Sequence, residues 1–235
     1  MKVRAIIQAR MGSERLRGKS LMPVAGKPLL LRVISMVKQM PFVDEVQIVT
    51  TTLEEDTPIF AYSSSLGVKC FRGDSLNVLN RFVEASRDLN ENDHIIRITA
   101  DNPLNWKSVS KKILDLHLEN EVDYSCIDGL SHIVFEVVRV GALHEIDELG
   151  VLTDYDKEHV TAYLRNSKGT YDIQIIPSRY FDLRSDLDSY LTIDTFQDLQ
   201  RFEKIANELG EFDDLEIPDV YNWLDNEINK EQIKH

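Results

Sequence analysis

Val3 to Gln8 is a predominantly apolar run that feeds straight into a loop punctuated by Gly12, Gly18 and Gly26, after which Leu30, Val33, Ile34 and Val37 recur at helical spacing. A strand that leaves through a glycine loop into an amphipathic helix is how a parallel sheet begins, because a parallel neighbour is reached only by a crossover. Further apolar runs at Val43–Thr50, Val68–Phe71 and His94–Thr99 alternate with helical patterns. That alternation predicts an α/β fold: a mostly parallel sheet covered on both faces, with the ligand loops beyond the C-terminal strand ends. Arg10, Thr50 to Thr52 and Asp101 stand at such ends. Residues 122 to 138 read as two shorter strands forming a small antiparallel excursion. A helix over Glu158–Arg165, a strand over Tyr171–Ile176, a short strand ending at Asp194 and a helix from Phe196 follow. The 235 residues contain no repeat or linker, so one domain is expected, with a core over about 1–209 and an acidic C-terminal helix over 210–235.

The first loop has the chemistry of a phosphate cradle. It carries Arg10, Arg15, Arg17, Lys19 and Lys27, and residues 1 to 32 hold eight lysines and arginines against the single acid Glu14, a balance of +7 in a chain of net charge −13. Glycines let the backbone approach an anion without a Cβ in the way, and guanidinium and ammonium groups neutralise its oxygens. Gly12 to Ser20 comes near the P-loop pattern but has one residue too many between Gly12 and Gly18. The dinucleotide fingerprint is missing as well.

Composition narrows the partners. An isoelectric point near 4.9 argues against nucleic acid or an anionic membrane surface. No stretch approaches the roughly 20 apolar residues of a membrane span, and the N-terminus has no leader-like apolar segment, so the chain is expected in the cytoplasm. Cys70 and Cys126 are isolated and read as buried spectator thiols.

Other motifs stand at points where chemistry can be placed. Asp101, in Arg97-Ile98-Thr99-Ala100-Asp101-Asn102-Pro103-Leu104, follows an apolar strand and reads either as a metal ligand or as the start of an Asx-turn before proline. Asp194 immediately precedes Thr195, which forms a capping-box pattern with Asp198, so its alternative role is to complement a helix N-terminus. Arg72-Gly73-Asp74-Ser75 precedes a helical stretch containing Arg81, and Glu158-His159-Val160-Thr161 opens another. Arg81 reads equally as a solvated face residue. His159 reads as a structural histidine, and no Ser-His-Asp, Cys-His or zinc pattern competes with it.

In order and in register, these segments resemble the cytidylyltransferases that activate acidic sugars, namely the 3-deoxy-manno-octulosonate and acylneuraminate enzymes and above all the spore-coat-polysaccharide type. The family's Q-A-R-x-x-S-x-R-L-P-G-K followed by G-K-P is matched by Gln8, Ala9, Arg10, Ser13, Arg15, Leu16, Gly18, Lys19, Gly26, Lys27 and Pro28, with Arg17 in place of the usual proline. The resemblance implies a three-layer α/β/α nucleotidyltransferase fold and transfer of CMP from CTP to a small acidic or phosphorylated acceptor, releasing pyrophosphate, in polysaccharide or glycoconjugate biosynthesis. It further implies catalytic roles for Arg10, Arg15 and Lys19, and nucleotide contacts from Ala9, Gly12, Ser13, Gly18, Lys27, Arg72 and Asp101. Mg²⁺ on Asp101 and Asp194, a homodimer, and a role for His159 in positioning the acceptor or shaping the dimer are implied too. One segment departs: where the family reads G-L-D-V-E-V-F, Gly129 to Phe135 has Ser131 and Ile133 at the acidic positions, which are expected to line the acceptor side and leave the acceptor open. A transferase using another nucleoside triphosphate, and an idle nucleotide-binding subunit, are the alternatives.

Overall fold

The computed structural model describes residues 1–167 and 169–233, so the last two residues of the expected C-terminal helix lie outside the described residues. In chain order the strands are β1 (Val3–Gln8), β2 (Pro23–Val24), β3 (Lys27–Pro28), β4 (Glu45–Thr51), β5 (Lys69–Gly73), β6 (His94–Thr99), β7 (Tyr124–Ile127), β8 (Glu136–Arg139) and β9 (Ile173–Ile176). The helices are α1 (Leu29–Lys38), α2 (Thr57–Ser65), α3 (Val78–Glu84), α4 (Lys107–Glu119), α5 (Val140–Glu148), α6 (Asp154–His159), α7 (Ala162–Asn166), α8 (Phe196–Leu209) and α9 (Ile217–Ile233). Seven strands form one sheet in the order β5-β4-β1-β6-β8-β7-β9, and β2 and β3 make a separate two-stranded hairpin. Only β8 runs against its neighbours β6 and β7, which is the antiparallel excursion the sequence predicts.

Two layers of helix follow from the period of two along each strand. Val3, Ala5 and Ile7 of β1 join Ile48, Ile96 and Ile98 under α1, α4, α8 and α9, whereas Ile6, Val49, Ile95, Tyr124 and Val138 face α3 and α5 on the other side. The helical stripe Leu30, Val33, Ile34 and Val37 is wholly buried, as its spacing requires. Chain order reverses beside β1: the chain runs outward through β4 and β5, then returns to pair β6 against the free edge of β1. A crevice opens at such a switch point, beyond the carboxyl ends of the strands.

Local details differ from the sequence reading in three places. Glu158–Arg165 is not one helix. It breaks at Val160, a β-branched residue held at φ 58, between the ends of α6 and α7. Leu191–Asp194 forms no strand; it follows a 3₁₀ segment, Ser185–Tyr190, and is tied to the sheet by a backbone bond from Ile193 N to Asp101 O at 3.0 Å. The acidic C-terminal segment is docked, with Val220 and Leu224 buried and Trp223 Nε1 donating to Glu208 at 2.8 Å. Cys126 is buried and Cys70 half-buried, both free thiols.

A polar chain crosses the interior far from these loops. His94 Nδ1 meets His117 Nε2 at 3.0 Å, His117 Nδ1 meets Ser125 Oγ at 2.9 Å, and Ser125 donates to Gln174 Oε1. With the serine proton committed to Gln174, His117 donates from Nδ1, and a second proton on its Nε2 would require His94 to carry none on Nδ1. Burial, and then the neighbouring His94, push His117 down to about 3. An unfolded histidine binds its proton near 6.5, so below that pH the unfolded chain takes up a proton that the native one refuses. Stability should therefore be full above about pH 7 and fall on acidification, this residue alone costing about 2 kcal/mol by about pH 5. Urea unfolding of wild type and His117→Gln across that range checks this: the variant's pH dependence should be flatter by about that amount.

Candidate active site

The loop after β1 is built around one buried carboxylate that the sequence reading passed over. Asp56 accepts from Met11 N at 2.6 Å and from the Thr51 hydroxyl, which ties the start of the loop to the end of β4. Met11 O then accepts from Ser13 N at 2.9 Å and Gly18 N at 2.8 Å, closing the loop on itself. Gly18 turns the chain at φ 76 into the 3₁₀ segment Lys19–Leu21, a conformation that favours glycine. Ser13 Oγ accepts from Leu16 N, and Ser20 Oγ donates to Arg10 O. These bonds fix where Lys19 emerges.

Lys19 Nζ lies 2.8 Å from Asp101 Oδ2, 2.8 Å from Asp194 Oδ1 and 3.0 Å from Ile193 O. Arg15 reaches the other oxygen of Asp194 at 2.9 Å. Four residues singled out from the sequence, Arg15, Lys19, Asp101 and Asp194, thus meet at one point at the switch between β1 and β6. Burial would push the Asp101 carboxyl up, but the Lys19 ammonium beside it, with a hydrogen bond from Thr99, holds it below its ordinary value. Asp101 is thereby kept ionised, and both carboxylates are aimed at the Lys19 ammonium. Asp198 aims the second of them: its Oδ2 accepts from Asp194 N at 3.1 Å, Thr195 N at 2.8 Å and Thr195 Oγ1 at 2.9 Å, completing the capping box of α8.

Some buried polar atoms have no partner. The buried side-chain atoms without a partner among the described residues are Gln8 Oε1, Thr50 Oγ1, Arg81 Nε, Arg97 Nε and Asn102 Oδ1. Gln8 ends β1, Thr50 lies one residue short of the end of β4, and Asn102 follows Asp101. Native interiors rarely leave such groups unsatisfied, and a polar ligand in the crevice can satisfy them. Two hard carboxylates, bridged here by Lys19, suit a divalent cation that keeps most of its shell in water and phosphate, and no group of three or more acidic, His or Cys ligands occurs among the described residues.

Several sequence candidates are placed elsewhere or tied to protein partners. Lys27 pairs with Glu211 at 3.0 Å. Arg72 donates to Thr51 O at 3.0 Å and Leu53 O at 2.8 Å, bracing the exit of β4. Ala9 gives its N–H to Val49 O at 3.0 Å. A Cβ on Gly12 would come within 2.8 Å of the Glu55 carboxylate, which also receives the exposed Arg17. Arg10 is half-exposed and faces Glu158 across 3.8 Å, so Glu158 reaches back to the first loop. His159 is exposed and packs at a tilt against the Tyr155 ring. Arg81 is buried rather than solvated. The basic N-terminal count also overstates the cradle, since Arg4 is locked between Glu45 and Asp88 at the start of β1 and Arg32 beneath Glu211.

The departure at residues 129 to 135 resolves into two different things. Ile133 is fully buried in the core, its carbonyl accepting from Trp106 N at 2.8 Å and Asn105 Nδ2 at 2.9 Å, so it does not line an acceptor side as expected. Ser131 and His132 are at the surface of the crevice, and Asp188, which nothing in the sequence marked, receives both of their backbone N–H groups.

Comparison with known proteins agrees with this arrangement. Residues 4–221 match the family described as cytidylyltransferase. The spore coat polysaccharide biosynthesis protein SpsF of Bacillus subtilis is 33% identical over 226 residues, 93% of this chain and 92% of its own length. The 8-amino-3,8-dideoxy-manno-octulosonate cytidylyltransferase of Shewanella frigidimarina is 27% identical over 172 residues, 72% of this chain and 66% of its own. A cytidylyltransferase from Leptospira borgpetersenii shares the fold with a TM-score of 0.85 at 24% identity, covering 97% of this chain and 96% of that one.

Asp198→Ala tests the positioning of Asp194. Losing the cap should cost about 1 kcal/mol of stability in urea unfolding, and turnover should fall further than that loss of stability accounts for. Unchanged turnover in a folded variant would mean that Arg15 and Lys19 alone place Asp194.

Proposed function

The chain belongs to the cytidylyltransferase family, and from that membership we propose that it transfers CMP from CTP to a small acidic or phosphorylated acceptor, with release of pyrophosphate and with Mg²⁺ held by Asp101 and Asp194. The observation that carries this reading is the meeting of Lys19, Arg15, Asp101 and Asp194 beneath the first loop. An oxygen nucleophile on the acceptor attacks the α-phosphorus, and pyrophosphate departs in line. Little covalent work falls to the protein, so rate comes from alignment and from charge placed where charge develops.

Within that scheme Arg10, Arg15 and Lys19 bind and steady the phosphates. Asp56 and Gly18 hold the loop in shape, and Gln8 Oε1 and Thr50 Oγ1, buried without partners near the ends of β1 and β4, supply polar contacts to the nucleotide. The bound cation supplies neutralisation of phosphate charge and a fixed point for orientation. Lys19 already occupies the position between both carboxylates that such a cation needs, which supports the fit. An acidic sugar in polysaccharide biosynthesis is the acceptor class this reading favours, because the similar SpsF and octulosonate proteins carry those names. Among the described residues no helix is long and apolar enough to cross a membrane. A cytoplasmic homodimer belongs to the same reading. Light scattering should return twice 27.1 kDa, and a monomer would remove that element.

The nucleotide is tested by pyrophosphate release with Mg²⁺ and each of the four NTPs against a panel of acidic acceptors. CTP should be turned over well above the others, and equal rates would contradict base selection. Asp101→Asn and Asp194→Asn should each abolish turnover in a folded protein, and the double variant should be no worse than either single one, because both build one unit. A folded Asp194→Asn enzyme with normal turnover would reduce that residue to helix capping.

A further inference from the structure

His132 sits on the other flank of the carboxylate pair from the first loop. Strand β7 runs parallel to β6, both pairing against β8 in the opposite sense, so the segment leaving β7 at Ile127 emerges on the same rim of the sheet as the loops after β1 and β6. In sheet order β6, and Asp101 with it, lies between the nucleotide side and this segment. Asn102 Nδ2 reaches Ser131 O at 3.4 Å, and Asp188 stands three residues before the Leu191–Asp194 stretch that is bonded to Asp101. His132 therefore opens on the same crevice from the opposite direction.

The side chain is held as a base is held. His132 Nδ1 lies 2.8 Å from Asp188 Oδ2 and 3.0 Å from Asp188 O, two acceptors, which fixes the proton on Nδ1 and leaves the Nε2 lone pair. Asp188 is itself pinned by the backbone N–H groups of Ser131 and His132 at 3.2 and 3.3 Å, and it is only 10% exposed. Among the described residues the hydrogen-bond partner of Nε2 is Ser131 Oγ at 3.4 Å, and the ring is 26% exposed. An aspartate that orients an imidazole through Nδ1 is the arrangement by which the Ser-His-Asp triads have histidine take a proton from a hydroxyl. The Asp188 carboxylate at Nδ1 favours an imidazole that takes up a proton.

We propose that His132, oriented by Asp188, takes the proton from the acceptor hydroxyl as that oxygen attacks the α-phosphorus. The step balances: the O–H proton passes to Nε2, the O–P bond forms, the bond from the α-phosphorus to the bridging oxygen breaks, and its electron pair leaves on pyrophosphate. Solvent then takes the proton from His132. Burial works against the imidazolium, but the Asp188 carboxylate, with a smaller contribution from Asp101, raises His132 above its ordinary value. Those acids, from the 3₁₀ segment Ser185–Tyr190 and from the end of β6, are the charged groups that face it. The assignment rests on the transferase reading above, since it needs an attacking hydroxyl.

The experiment uses whichever NTP and acceptor the wild-type enzyme turns over, with CTP binding measured separately by calorimetry. His132→Gln should bind CTP within about twofold of wild type and lower kcat by about 10²–10⁴-fold. The acid limb of its kcat/KM profile should disappear, while in Asp188→Asn that limb should move to lower pH. His132→Gly with added imidazole should recover turnover, which a purely structural loss would not. A folded His132→Gln enzyme with normal kcat and the acid limb intact would overturn the assignment, as would a raised acceptor KM at unchanged kcat, the mark of an anion contact. If the wild type transfers nothing from any NTP, the transferase reading fails and this assignment with it. If it transfers a nucleotide other than CMP, only the base selectivity fails.

Discussion

Lys19 between Asp101 and Asp194 is the contact on which the functional geometry depends. Two carboxylates brought together from segments 93 residues apart repel unless a cation lies between them, and Lys19 bonds each at 2.8 Å. The rest of the site can be understood as what that contact requires. Asp56 and Gly18 shape the loop that delivers the ammonium, the Ile193 to Asp101 backbone bond draws the chain before α8 against the end of β6, and Asp198 turns Asp194 toward its partner.

The sheet order divides the labour. Loops after β1, β4 and β5 lie on one flank of β6, and the segment joining β7 to β8 lies on the other, with the paired aspartates between them. In the transfer proposed above, that layout would let each substrate enter from its own side and share the charged centre. The break at Val160 belongs to the same geometry. It lets α6 carry Glu158 toward Arg10 while Thr161 donates to the buried Glu136 at 2.6 Å, a carboxylate also held by Arg97 and Arg165. A β-branched residue at positive φ is costly, and such positions persist where the surroundings over-determine them.

The parts of this fold that were legible in the sequence are those written in local pattern. Alternating apolar runs gave the parallel sheet, the Leu30 to Val37 stripe gave α1, and Thr195 with Asp198 marked the start of α8. Asp101 and Asp194 were found because each stands beside a local signal, a strand end and a helix cap. What was not legible depends on contacts between distant segments. The basic count near the N-terminus hid the fact that Arg4 and Arg32 serve internal ion pairs, because charge in a sequence carries no direction. Ile133 looked like an altered ligand and is a core residue. The pairing of His132 with Asp188 spans 56 positions and has no motif. The 3₁₀ segment that presents Asp188 has no periodicity to announce it, and Leu191–Asp194 has the composition of a strand without a neighbour to pair with.

A divalent cation held by Asp101 and Asp194 beside the triphosphate, as proposed, would take the place of the ammonium that bridges them. NMR of isotope-labelled protein with Mn²⁺ and CTP tests it directly, because the paramagnetic ion broadens nearby amides most. Broadening is expected to be strongest at Asp101, Asn102, Ile193 and Asp194, to appear with Mn²⁺ and CTP together and to be abolished in Asp101→Asn. Broadening centred on any other part of the chain, or unchanged by that substitution, would contradict it.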